Sequence, residues 1–162
     1  ARDAAGRVDA TASGDRGARV LVKVAEALAR SGEAKLALSM ARAIKERDMQ
    51  AAALGHAAYG FAAEGDTSRA RALGREAREV LPSIRDRDRQ SFVWAAVALA
   101  SVRLSCYAEA LNDEGLSLNP NDELMVYTAI IRDDALRRNG SLREIFDRGP
   151  SERLGRFGLH WP

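Results

Sequence analysis

Apolar side chains recur along this chain at helical spacing, in runs separated by short polar turns. Val20, Leu21, Val24, Leu28 and Ala29 form one stripe, and Gly32 follows as a stop signal. A second stripe, Leu36, Ala37, Met40, Ala41 and Ile44, predicts a partner helix over about Glu33–Glu46 after a first helix that begins near Arg19. The same reading predicts a second hairpin, about Met49–Glu64 with Thr67–Leu81, capped at its turn by Asp66 or Thr67 and ended by Pro82. A third pairs about Asp88–Leu104 with Tyr107–Leu118. Asn119-Pro120-Asn121-Asp122 reads as a turn, with Asp122 capping a helix over Glu123–Arg138 and a shorter helix over Leu142–Asp147. No segment shows the alternation of a strand.

The turns resemble one another. Ser31–Ala37, Glu64–Ala70 and Leu104–Ala110 each join two Ala-rich helical stretches, and Asn139–Ile145 is a weaker fourth; Gly32 and Gly65 lie 33 residues apart. A repeat of that length is the mark of stacked helix hairpins, each too small to bury its own apolar face. The predicted fold class is all-α: an α-α superhelix, or short solenoid, of three helical hairpins plus a partial fourth, stacked right-handedly. Residues 1–18, which lack an apolar period, are expected to be a flexible leader, 19–147 the repeat domain, and 148–162 a tail whose Phe157, Leu159 and Trp161 cap the last repeat.

Composition narrows the function. The 162 residues are 46% hydrophobic but only 6% aromatic, so the core must come mainly from Ala, Leu, Val and Ile. The net charge of +2, spread along the chain, does not argue for nucleic acid. The longest strongly apolar stretch, Phe92 to Val102, is about half of the roughly 20 residues a membrane span requires, so no membrane insertion is expected. A lone cysteine, Cys106, rules out an intramolecular disulfide and fits a reducing, cytoplasmic location. The only lysines are Lys23, Lys35 and Lys45, a bias towards Arg read as bacterial genome composition. The chain begins at Ala, which suggests a processed product or a fragment of a larger regulatory protein, from which a targeting segment could have been removed.

At this level the repeats resemble the tetratricopeptide type. In that family bulky and small residues alternate along the first helix, a Gly-containing turn follows, and a small residue opens the second helix's packing face. Leu21, Ala25, Leu28, Gly32, Ala37 and Ile44 match in the first unit, Leu54, Ala58, Phe61, Gly65, Ala70, Ala77 and Pro82 in the second, and Trp94, Ala98, Tyr107, Ala110 and Leu111 in the third. Leu118-Asn119-Pro120-Asn121 is similar to the family's inter-repeat turn. Departures are Ser105 in place of the turn Gly, Gly74 at a usually bulky position, a spacing of 40 residues from Ala70 to Ala110, and Arg132 and Asp133 at core positions. Irregular helical repeats of bacterial signalling ATPases and transcription activators match equally well.

The resemblance implies a concave face lined by the first helix of each hairpin, which projects Glu26, Arg30, Tyr59, Ala62, Phe92, Leu99, Arg103 and Arg137 onto a groove for a peptide or helix. Family members that grip a C-terminal carboxylate use Lys and Asn there; Val22, Glu26, Gly55 and Tyr59 at the matching positions disfavour that task. No catalytic, cofactor or metal set is expected, because His56, His160 and Cys106 are the only nitrogen or sulfur ligands. His56 is expected to hydrogen-bond a Tyr or the backbone, Cys106 to be an unreactive thiol without a cationic neighbour, and the Arg85–Arg89 alternation to be a solvated connection. The expected function is therefore a non-catalytic protein-interaction module with a protein or peptide partner. Alternatives are a small-molecule sensor or enzyme pocket using His56, Tyr59 and Arg103, or a unit that self-assembles end to end.

Overall fold

The computed structural model describes residues 14–111, 116 and 118–137. They form seven α-helices: α1 (Asp15–Arg30), α2 (Ala34–Ala43), α3 (Arg47–Ala63), α4 (Thr67–Arg78), α5 (Arg87–Arg103), α6 (Tyr107–Ala110) and α7 (Pro120–Arg137), with a 3-10 turn at Leu81–Ser83. No strand occurs among the described residues. Consecutive helices pair as α1–α2, α3–α4 and α5–α6, while α1, α3, α5 and α7 pack in a row, and α2 and α4 each also touch the next hairpin's first helix. The architecture is thus all-α, a stack of helical hairpins. Residues 138–162, which hold the expected fourth turn at Gly140 and the capping Trp161, lie outside the described residues, as do most of the leader's residues.

The three similar turns are one structure. Gly32 and Gly65 have φ of 84° and 85°, and Ser105 takes the same left-handed conformation at 57°. In each, the amide after that residue reaches back to a carbonyl five residues earlier: Glu33 to Leu28 at 2.9 Å, Asp66 to Phe61 at 2.9 Å, Cys106 to Ser101 at 2.8 Å. This is the Schellman closure, which satisfies carbonyls that a helix end leaves bare. Ser105 therefore keeps the turn despite losing the glycine.

The starts of α4, α5 and α7 carry side-chain caps, with one correction to the expected residues. Asp66 Oδ1 accepts the Arg69 amide at 3.0 Å and Asp86 Oδ1 accepts the Arg89 amide at 2.9 Å. α7 starts at Pro120, and its cap is Asn119, whose Oδ1 accepts the Asn121 amide at 3.0 Å. Asp122, the expected cap, instead accepts the Ser91 hydroxyl at 2.7 Å, and that hydroxyl accepts the Asn119 amide at 2.8 Å, so a fully buried Ser on α5 is satisfied by the entry to α7. Helix lengths also differ from the expected ones. α1 begins four residues before Arg19, its first-turn Asp15 paired with Arg19 at 3.2 Å. α2 ends at Ala43 because Ile44 turns extended and buries its side chain, its carbonyl taken by Gln50 Nε2 at 2.9 Å. α6 is a single turn rather than a helix to Leu118.

The segment expected to be a solvated connection is a structural knot. Arg87 donates twice to the Leu118 carbonyl, at 2.6 and 3.3 Å. Arg89 bridges Asp48 at 2.8 Å and Asp15 at 2.7 Å, joining the first turns of α1, α3 and α5. On the opposite row, Arg42 and Glu76 form a two-pronged pair between α2 and α4.

The core sits between the two rows and is made of small side chains. α3 is buried on nearly every face, as befits a helix apolar all round with neighbours on both sides. Glycines set its closest approaches. A Cβ on Gly55 would lie 2.9 Å from the Ala96 carbonyl carbon on α5, and one on Gly60 would lie 3.0 Å from Ala34 Cβ. Gly55 and the fully buried Val22 are thus packing residues and not groove positions.

Candidate functional site

The row of first helices shares one face, and on it a recess of about 430 Å³ opens between α1, α3, α5 and α7. Glu26 and Arg30 from α1, Tyr59 from α3, and Leu99 and Arg103 from α5 line it together, as the projected groove requires. Phe92 does not reach it. That ring lines a neighbouring recess of about 250 Å³ with Lys23 and Met49, and Lys23 Nζ stands 5.7 Å from its centroid. Ala62 is half-buried and lines neither recess, and the side chain of Arg137 lies outside the described residues. The wall from α7, Met125, Ala129, Arg132 and Leu136, was missed by sequence reasoning. Its signal was present: four residues at helical spacing, of which Leu136 remains 75% exposed.

Charge is organised on the α1 side. One turn of spacing lets Glu26 accept from both Lys23 and Arg30, each at 2.9 Å. Burial works against its charge, but the Lys23 hydrogen bond and the surrounding positive groups hold its carboxyl below the usual carboxylate range. On the far wall, Tyr107 donates to Asp133 Oδ2 at 2.7 Å. Burial and that carboxylate push the Tyr107 phenol up to about 12, so it stays a donor and ties α6 to α7.

His56 lines the floor of the same recess and is only 8% exposed. Burial lowers its pKa to about 4 against the opposing pull of Glu26, so the ring is neutral at pH 7. Its Nε2 is buried without a hydrogen-bond partner, where a bond to a Tyr or the backbone was expected. Cys106 lies in the α5–α6 turn, away from this recess, and does have a cationic neighbour, Arg71 Nη2 at 3.6 Å from Sγ. Among the described residues no group of three or more His, Cys, Asp or Glu could hold a metal ion, and no helix is long and apolar enough to cross a membrane.

Comparison with protein-family models, with curated proteins and with solved structures finds no match for this chain.

Proposed function

We propose that this chain is a non-catalytic interaction module of tetratricopeptide-like design, whose first-helix face receives a peptide or a helix from a protein partner. The observation that carries this reading is the recess itself. Ala29, Leu99, Val102, Met125 and Ala129 give it an apolar lining, among which stand the polar groups of Glu26, Arg30, His56, Tyr59, Arg103, Arg132 and Asp133. An apolar lining with directed polar groups suits an amphipathic segment. Helices locked by the Arg89 bridges and the glycine-mediated crossing of α3 and α5 would hold the face in place, sparing the binder the cost of ordering its receptor.

The test is calorimetric titration of a peptide selected from a random library against the intact chain. Tyr59→Ala and Arg103→Ala should each weaken binding by about 1 kcal/mol or more, since aromatic and Arg anchors dominate interfaces. Arg85→Ala, in the connection before α5, should leave it unchanged. Binding insensitive to both Tyr59 and Arg103 would defeat the reading. A second reading, a small organic ligand in the same recess, is favoured by the unpartnered His56 and by a volume within the about 300–1,000 Å³ of small-molecule sites. Native mass spectrometry of the purified chain separates the two through a retained ligand mass.

A further inference from the structure

Away from the first-helix face, a second recess of about 350 Å³ lies between α4, α5 and α6. Arg71, Arg75 and Arg78 line it at one-turn spacing on α4, and Glu109 is the one acid among its described lining residues. Among the described lining residues the arginines thus outnumber the acid by two. These three arginines differ from the ion-paired ones, as do others such as Arg47 and Arg85. Arg19, Arg30, Arg42, Arg69 and Arg89 all have carboxylate partners, whereas Arg71, Arg75 and Arg78 have no carboxylate within 4.0 Å among the described residues.

The hydrogen-bond acceptors of two of them are neutral, although the Glu109 carboxylate also attracts Arg78. Arg71 Nη2 rests 3.6 Å from Cys106 Sγ, and Arg78 Nη2 donates to the Glu109 carbonyl at 2.8 Å and to Ser101 Oγ at 3.5 Å. Arg78 is half-buried, and that burial lowers its pKa below the ordinary arginine value. Like charges one turn apart weaken a helix.

Gly74 lies among them on the same recess. A glycine inside a helix costs about 0.5–1 kcal/mol relative to alanine, and it is normally tolerated for a left-handed φ or a close contact. Gly74 has neither: it sits in ordinary helix, and a Cβ there would meet nothing within 4 Å. Its missing side chain leaves the space between the three arginines open.

We infer that the α4–α6 recess binds a phosphoryl-bearing anion, a diphosphate group of a small metabolite being the class that fits, with Arg71, Arg75 and Arg78 as its donors and Gly74 as the opening. A single carboxylate satisfies one guanidinium in its plane; a phosphoryl group accepts from several directions and carries the charge that an excess of two cations among the described lining residues requires. This site is independent of the proposed groove, on other faces of the hairpins.

The experiment is a calorimetric titration of inorganic pyrophosphate into the full chain at fixed ionic strength. Variants Arg75→Ala, Gly74→Leu and Arg19→Ala are compared, each checked for folding by circular dichroism. Saturable binding is expected. Arg75→Ala should weaken it about tenfold or more, the loss of one charge-assisted hydrogen bond. Gly74→Leu should weaken it similarly by filling the space with no change of charge. Arg19→Ala, equal in charge but paired with Asp15 on α1, should bind as the parent does. Citrate at the same ionic strength should bind more weakly. The inference is overturned if the parent chain does not bind pyrophosphate, if Arg19→Ala matches Arg75→Ala, if Gly74→Leu binds unchanged, or if citrate binds equally well.

Discussion

Single residues carry conformational and electrostatic costs that this fold accepts in two places. Ser105 holds φ of 57° in a turn where the equivalent residues are glycines. A left-handed conformation costs an L-residue about 1–2 kcal/mol, part of which glycine returns as greater freedom in the unfolded chain. Ser105→Gly should therefore stabilise the protein by about 1 kcal/mol, read as a higher urea midpoint with an unchanged slope. His56 is the second place. Its folded pKa of about 4 lies below the 6.5 of an unperturbed imidazole, so on acidification the unfolded chain takes the proton first. The stabilisation is complete above about pH 6.5 and is lost as pH falls towards 4, by up to about 3 kcal/mol. Glu26, Lys23 and Arg30 surround the ring electrostatically, and Glu26, held low, loses its own contribution as pH falls through 4.5 and below. Urea midpoints at pH 7 and pH 4.5 should differ markedly for the parent chain and much less for His56→Leu; an equal midpoint difference in both would refute the buried neutral ring.

At the scale of elements, Gly55 of α3 and Gly74 of α4, both inside a helix, call for opposite outcomes. Gly55→Ala forces a methyl to 2.9 Å from the α5 backbone, which has no flexible atom to yield. Overpacking of about 1–3 kcal/mol should outweigh the propensity gain of about 1 kcal/mol, so its melting temperature should fall. Gly74→Ala meets empty space and should raise it, by about 0.5–1 kcal/mol of stability. Both sequence positions look alike, a Gly in an Ala- and Leu-containing helix, and only the neighbour across the gap distinguishes them. The Arg85–Arg89 run makes the same point. Alternating charge reads as solvated, yet Arg89 finds Asp15 and Asp48 from two other helices and Arg87 finds the Leu118 carbonyl. Arg89→Ala should loosen the ends of α1, α3 and α5 together, visible as faster amide exchange at all three first turns.

For the molecule as a whole, the helical hairpins and their order were legible in the chain, because apolar period, turn glycines and capping Asp residues act over a few residues and need no distant partner. Leu54, Ala58 and Phe61 at helical spacing are buried as their pattern required, and Gly65 and Asp66 shape and cap the turn where they stand. The repeat projected Glu26, Arg30, Tyr59, Leu99 and Arg103 to one face, and the structure brings these five side chains to one recess. Phe92 was misassigned to it because one helical face spans two recesses, and the α7 wall was missed because the register of α7 depends on Asn119 and on its anchor at Ser91. Tertiary structure alone decided that Arg42 meets Glu76, that Arg89 meets Asp15 and Asp48, and that the α4 arginines face a recess completed by α5 and α6. It also decided that His56 is buried without a partner, and which glycine touches a backbone and which faces open space. Each of those depends on atoms brought close from tens of residues away, and a side chain's charge, burial and reach in the sequence do not determine what will stand opposite it.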